Sequence, residues 1–248
     1  MAFEYGIATI IIVLLVVIFL WKGIKKVAAW VLLIILALAL FGTIFSLDVF
    51  KDVTDLAQNL PTARKLFVLK DDSTLHTAFE SSALNANALS FIDQKTIASF
   101  QSSYAKGDLN TIRGSYYKLV IVDAAALTSN KLTVNNNEIA VADVLEAIRA
   151  DNTRERVVQF IIKEKSLPDT AETKRYVQEQ LGSSIKTDAD MRATLFVQLI
   201  ADAVARNPLF VTRGLASNTI IVYPETITFK VLKILPESIA QKLVQSFT

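Results

Sequence analysis

The chain has no cysteine, and its 248 residues include one histidine, seven glycines and five prolines. Without thiols there are no disulfides, iron–sulfur clusters or cysteine-ligated zinc, and the redox compartment stays open. One imidazole, His76, is too few for a zinc site built from Cys and His. So few glycines leave no phosphate-cradling loop. An excess of one charge sign is missing too. Lys and Arg total 26 against 24 Asp and Glu, for a net charge of +2. Well-mixed charge of this kind lacks the clustered Lys and Arg that nucleic acid requires.

Charge is scarcest at the start. Between Met1 and Leu47 the only ionisable side chains are Glu4, Lys22, Lys25 and Lys26. Two uncharged runs, Tyr5 to Trp21 and Val27 to Leu47, hold the excess that raises the mean hydropathy to +0.40. As helices they would extend roughly 25 and 31 Å, close to a hydrocarbon core. A cleavable signal peptide fits worse, because no basic region precedes the first run and lysines follow it.

The spacing predicts a transmembrane helical hairpin over residues 1–47, turning at Lys22-Gly23-Ile24-Lys25-Lys26. Trp21 and Trp30 flank that turn, where amphipathic rings sit at an interface, and its three lysines place it in the cytoplasm. The N-terminus and the rest of the chain would then be extracytoplasmic, in a cell-membrane protein with two spans. Gly42 and Ser46 form a small-xxx-small pair, which chance in a Leu/Ala-rich run explains better than helix packing.

Residues 48–61 read as an amphipathic connector helix. Val49, Phe50, Val53, Leu56, Ala57 and Leu60 share one face, opposite Asp48, Lys51, Asp52, Asp55 and Gln58, until Pro61 ends the run. Packing of the apolar face on the domain is favoured over a membrane-surface role, since such helices are usually rich in Lys and Arg.

Residues 62–248 read as one α+β extramembrane domain, with helices in runs rather than strict alternation with strands. Strands are predicted at Lys65 to Lys70, Leu75 to Glu80 and Tyr116 to Val122, the last buried on both faces. A helix is predicted within Ser90 to Tyr104, beginning near Asp93, and another from about Ile139 to Ala150. Another follows Pro168, with Asp169 and Glu172 as a capping box and Gly182 closing it, and a long core helix runs from Thr187 to Arg206. Val157 to Ile162 fits either strand or helix. Asn135 to Asn137 marks a turn. Strands are expected at Leu209 to Thr212, Thr219 to Tyr223 and Ile227 to Leu235, closed by a terminal helix from Pro236. That helix would bury Ile239, Leu243, Val244 and Phe247.

The side chains that could carry chemistry are few. His76 lies in a predicted strand, without a nucleophile elbow to serve. Ser115-x-x-Lys118 and Ser183-x-x-Lys186 match the Ser-x-x-Lys spacing only at chance frequency, and no Lys-Thr-Gly accompanies them. Asp123 ends the buried strand, where capping the Ala124-Ala125-Ala126 turn is its ordinary role. Asp71-Asp72, Asn135 to Asn137 and Asp188/Asp190 lack a calcium-loop pattern. The sequence therefore assigns no catalytic, cofactor or metal residue.

The favoured reading is a membrane-anchored, non-enzymatic subunit. Its partners would be the lipid bilayer and other membrane or envelope proteins, or itself. An extracytoplasmic ligand-binding or sensor domain comes second and a weakly marked hydrolase third.

Overall fold

The computed structural model describes residues 51–52, 54–56, 58–60, 62–82, 89–127, 131–134, 137–181, 185–234 and 236. The expected hairpin of residues 1–47 and the terminal helix after Pro236 lie outside them.

Two apolar runs, KLFVLK and KLVIVD, become the inner strands of a five-stranded sheet. β1 (Lys65–Asp71) pairs in parallel with β4 (Lys118–Asp123), in register from Lys65 opposite Lys118 to Lys70 opposite Asp123. β2 (Thr74–Ser81) returns antiparallel to β1 across Asp72 and Ser73, with Asp72 at φ +51°. A short Asp side chain tolerates that left-handed position. β3 (Leu89–Phe91) adds to β2 and β7 (Ile220–Tyr223) to β4, both antiparallel, so the order is β3-β2-β1-β4-β7.

Helices cover both faces of this sheet, which is why its inner strands read as continuous apolar runs. On one face Leu66, Val68, Leu119 and Ile121 pack with Ile97 of α1 (Gln94–Ala105) and Ile112 of α2 (Leu109–Arg113). Asp93 and Asp108 start these two helices by accepting from the Thr96 and Thr111 amides, the usual role of an N-cap carboxylate. On the other face Leu69, Phe79 and Val122 meet the long α6 (Asp188–Arg206). Phe79 stacks on Phe67 at 4.9 Å and meets Phe196 edge-on at 5.3 Å. α6 opens at Thr187 as expected, through a Thr187–Asp190 capping box. Around it pack α3 (Val141–Arg149), α4 (Thr153–Glu164) and α5 (Ala171–Gln180), beside a separate antiparallel pair, β5 (Lys131–Val134) and β6 (Asn137–Ala140).

The domain is thus α+β, and Thr54–Thr248 forms one compact unit. Val157 to Ile162 resolves as helix, within α4. Ile139 belongs to β6 rather than to the following helix. Thr170, not Asp169, caps α5: its hydroxyl accepts from the Thr173 amide, while Asp169 pairs with Lys174. Two expected strands are helices: α7 (Phe210–Ala216) and α8 (Ile227–Ile234). Gly214 sets how closely the first packs. A Cβ there would lie 2.5 Å from the Ile220 side chain, so glycine lets α7 press against β7. In α8 the tertiary context decides, because Phe229 and Leu232, three residues apart, rest on the core. Among the described residues no single helix is long and apolar enough to cross a membrane. The hydropathy of α6 is that of a core helix, with Met191, Leu195 and Phe196 fully buried.

One charge sits inside the helical layer. Arg192 of α6 is 7% exposed and donates from Nε to Thr153 Oγ1 at 2.9 Å and from Nη1 to Gln94 Oε1 at 2.8 Å. Its Nη2 donates to the Ala150 and Asp151 carbonyls at 2.9 and 3.1 Å. A buried guanidinium is tolerated when its donors are satisfied, and these bonds tie α6 to the α3–α4 corner and to the start of α1. Arg192→Ala removes a charged donor and orphans its acceptors. Urea unfolding should show a loss of roughly 1.5–3 kcal/mol, typical of hydrogen bonds to charged groups. A change below about 0.5 kcal/mol, the size of a surface substitution, would contradict the clamp.

Candidate interaction surface

β1 and β4 each begin with a lysine, and because the strands are parallel and in register the two side chains lie side by side. Lys65 and Lys118 are only 3% and 2% exposed. Lys65 Nζ donates to the Leu60 carbonyl at 2.5 Å, in the last turn of the connector, where helix carbonyls lack intrahelical partners. Burial holds the Lys65 pKa below the ordinary lysine value. Lys118 Nζ donates to the Pro224 carbonyl at 3.0 Å and lies 5.1 and 5.5 Å from the centres of the Tyr117 and Phe229 rings, within range of a cation–π attraction. This end of the sheet thus gathers the connector, the start of β1 and β4, and the segment from β7 into α8.

The connector is helical at residues 51–52, 54–56 and 58–59. Asp55, which the periodicity puts on its polar face, accepts a hydrogen bond from the Tyr117 hydroxyl. A polar latch therefore holds the connector to the domain. Beside it, Arg64 forms a two-pronged ion pair with Glu80 at 2.5 and 2.8 Å and lies 5.1 Å from the Tyr116 ring centre. The Arg64 bond, then its charge, outweighs burial and holds the Glu80 carboxyl below the ordinary range, with a smaller contribution from Tyr116. Burial first, then Glu80, raises the Tyr116 phenol.

The opposite end of the β1–β4 pair is closed by Lys70 and Asp123, which form an ion pair. Burial opposes the Lys70 charge, but the bond and charge of Asp123 outweigh it and raise the pKa. Asp123 also accepts from the Ala125 amide, the capping role expected of it. Asp71 pairs with Arg149. Asp188 accepts from the Arg154 amide, and Asp190 completes the α6 cap. Ser115 is exposed just before β4, whereas Lys118 is drawn to Pro224, so the first Ser-x-x-Lys spacing makes no reactive pair. Ser183, Asn135 and Asn136 lie outside the described residues. Among the described residues no three His, Cys, Asp or Glu side chains are grouped as metal ligands.

An open depression of about 640 Å³ lies between the β1–β2 turn and α1–α2, lined by Ser73, Gln101, Tyr104, Gly107, Leu109 and Ile221. Its most polar side chain is occupied. Gln101 accepts from the Leu75 amide and donates to the Ser73 carbonyl, bracing the hairpin. Exposed large apolar side chains occur elsewhere: Tyr176 on α5, Val204 on α6, Val211 on α7 and Ile234 on α8, the last 80% exposed.

No pattern in the sequence brings Asp55 to Tyr117 or Arg64 to Glu80 and Tyr116. One signal for the lysines was present: both inner strands open with Lys followed by four apolar residues. Comparison with protein-family models, curated proteins and solved structures finds no match to this chain.

His76, half-buried on β2, is the sole titratable imidazole. Burial lowers its pKa; Asp71 pulls it back, while Arg149 and Arg192 push it further down. The unfolded chain then takes up this proton first. The corresponding stability is present at neutral pH and is lost as pH falls from about 6.5 through the lower folded pKa. A pH titration of the single imidazole NMR signal should show a midpoint below 6.5. A midpoint at or above that value would contradict the buried, neutral state.

Proposed function

We propose that this chain is a membrane-anchored, non-enzymatic subunit, held by a hairpin of residues 1–47, whose extracytoplasmic domain binds other membrane or envelope proteins, or itself. The observation that carries this reading is where the reactive side chains are tied up. Asp123 serves Lys70 and the Ala125 amide, Asp71 serves Arg149, Glu80 serves Arg64, and Asp190 caps α6. Each of these contacts holds the fold. Exposed Tyr176 and Val204 add apolar contact points of the kind that interfaces use. A ligand-binding reading draws its one specific support from the depression beside Gln101 and Tyr104.

Photo-crosslinking in cells, with the reactive group at Tyr176 or Val204 and a control at Lys106, tests the proposal. A discrete adduct with another protein or a second copy is expected at an apolar position and not at Lys106. No adduct at either apolar site, with the chain at native expression, would overturn it. Protease added to spheroplasts should also digest a tag placed after Thr248. A tag protected until the membrane is broken would reverse the orientation.

A further inference from the structure

We propose that the depression beside the β1–β2 turn binds a small uncharged aromatic molecule of the phenol or indole class; this rests on the ligand-binding reading of the domain. Its place in the sheet is the first argument. β1 and β4 are parallel neighbours, yet the chain leaves their carboxyl ends in opposite directions. After β1 it turns at Asp72 and Ser73 into β2, on one side. After β4 the next strand of this sheet is β7, on the other side. Ligands of open sheets collect outside the carboxyl ends of parallel strands, where such a divergence leaves a crevice. Ser73 and Ile221, which both line the depression, belong to the two diverging paths. Between α1 and α2 the chain turns through Gly107 at φ +72°, where a Cβ would meet nothing within 4 Å, so this margin is open.

The lining selects the ligand. Ala105, Leu109, Ile221 and Tyr104 supply apolar and aromatic surface, and none of the described lining residues is charged. Nearby charges are already matched. Lys70 pairs with Asp123 and donates to the Asp72 carbonyl at 2.9 Å, and Lys106 stands two residues from Asp108. An ionic ligand would lose hydration here without gaining an unpaired countercharge. Gln101 is engaged on both sides of its amide, by the Leu75 amide and the Ser73 carbonyl. That leaves the Ser73 and Tyr104 hydroxyls, which have no hydrogen-bond partner among the described residues. Two hydroxyls serve one or two polar groups, too few for a sugar, whose many hydroxyls each need a partner when buried. A flat ring with one hydroxyl or ring N–H suits this set, its ring against Tyr104. The volume of about 640 Å³ is ample for it and lies within the range of small-molecule sites.

Fluorine NMR of the full chain with fluorotyrosine at its tyrosines tests this, the Tyr104 signal being assigned through Tyr104→Phe. Phenol, indole, benzoate and glucose are titrated in turn, with exposed Tyr176 as the control signal. Phenol and indole are expected to shift the Tyr104 signal saturably, at about millimolar concentration, and to leave Tyr176 unmoved. Ala105 is exposed and lines the depression, so Ala105→Trp fills the space without disturbing the core. Binding to that variant should be about tenfold weaker. Undiminished binding to Ala105→Trp, or an equal shift at Tyr176, places the ligand elsewhere and overturns the proposal. Benzoate or glucose saturating the Tyr104 signal as readily as phenol or indole overturns the ligand class and leaves a ligand site standing. No saturable shift with any probe overturns the class and the ligand-binding reading together.

Discussion

The in-register parallel pairing of β1 with β4 is the constraint on which the described fold depends. Six consecutive residue pairs run from Lys65–Lys118 to Lys70–Asp123. Alternate side chains of the same two strands feed opposite cores: Leu66, Val68, Leu119 and Ile121 face α1 and α2, while Leu69 and Val122 face the α6 layer. A slip of one residue would exchange the two sets and separate Lys70 from Asp123. Register, both cores and the closing ion pair are therefore a single specification.

The two helical layers are held to this pair in different ways. α1 and α2 begin at aspartate caps and lie on the sheet through Ile97 and Ile112. The larger layer is organised around α6, whose Arg192 gathers the α3–α4 corner and the start of α1 by hydrogen bonds to neutral groups alone. That arrangement joins elements distant in sequence without a buried carboxylate. At the other boundary of the domain, Lys65 and Lys118 reach Leu60 and Pro224, so the segments entering and leaving the sheet are fastened by adjacent buried ammonium groups.

Elements whose signals are local were legible in the sequence. The inner strands were apolar runs flanked by turns, and Asp93 and the Thr187–Asp190 pair announced their helices. α7 and α8 were not legible, because short apolar runs with β-branched residues carry no decisive period. Contacts beyond themselves hold them as helices: Phe210 and Leu215 of α7 are buried in the core, and Phe229 and Leu232 of α8 rest on it. The polar cluster at the start of β1 and β4 was hidden for the same reason. Asp55 and Tyr117 are 62 residues apart, and no local pattern joins them. The lysine pair was partly legible, since KLFVLK and KLVIVD share an opening lysine and end in Lys70 and Asp123, whose opposite charges suit parallel pairing in register.

If the β1–β4 pair carries both cores, neither layer can lose its structure while the pair remains, nor outlast it. Residue-resolved hydrogen exchange of the full chain measures this directly. The amides of Leu66 to Leu69 and Leu119 to Val122 should be the last to exchange, opening together with those of α1 and α6 in one cooperative step. If the β1–β4 amides exchanged early while α6 stayed protected, the helical layer would stand on its own and the account would fail.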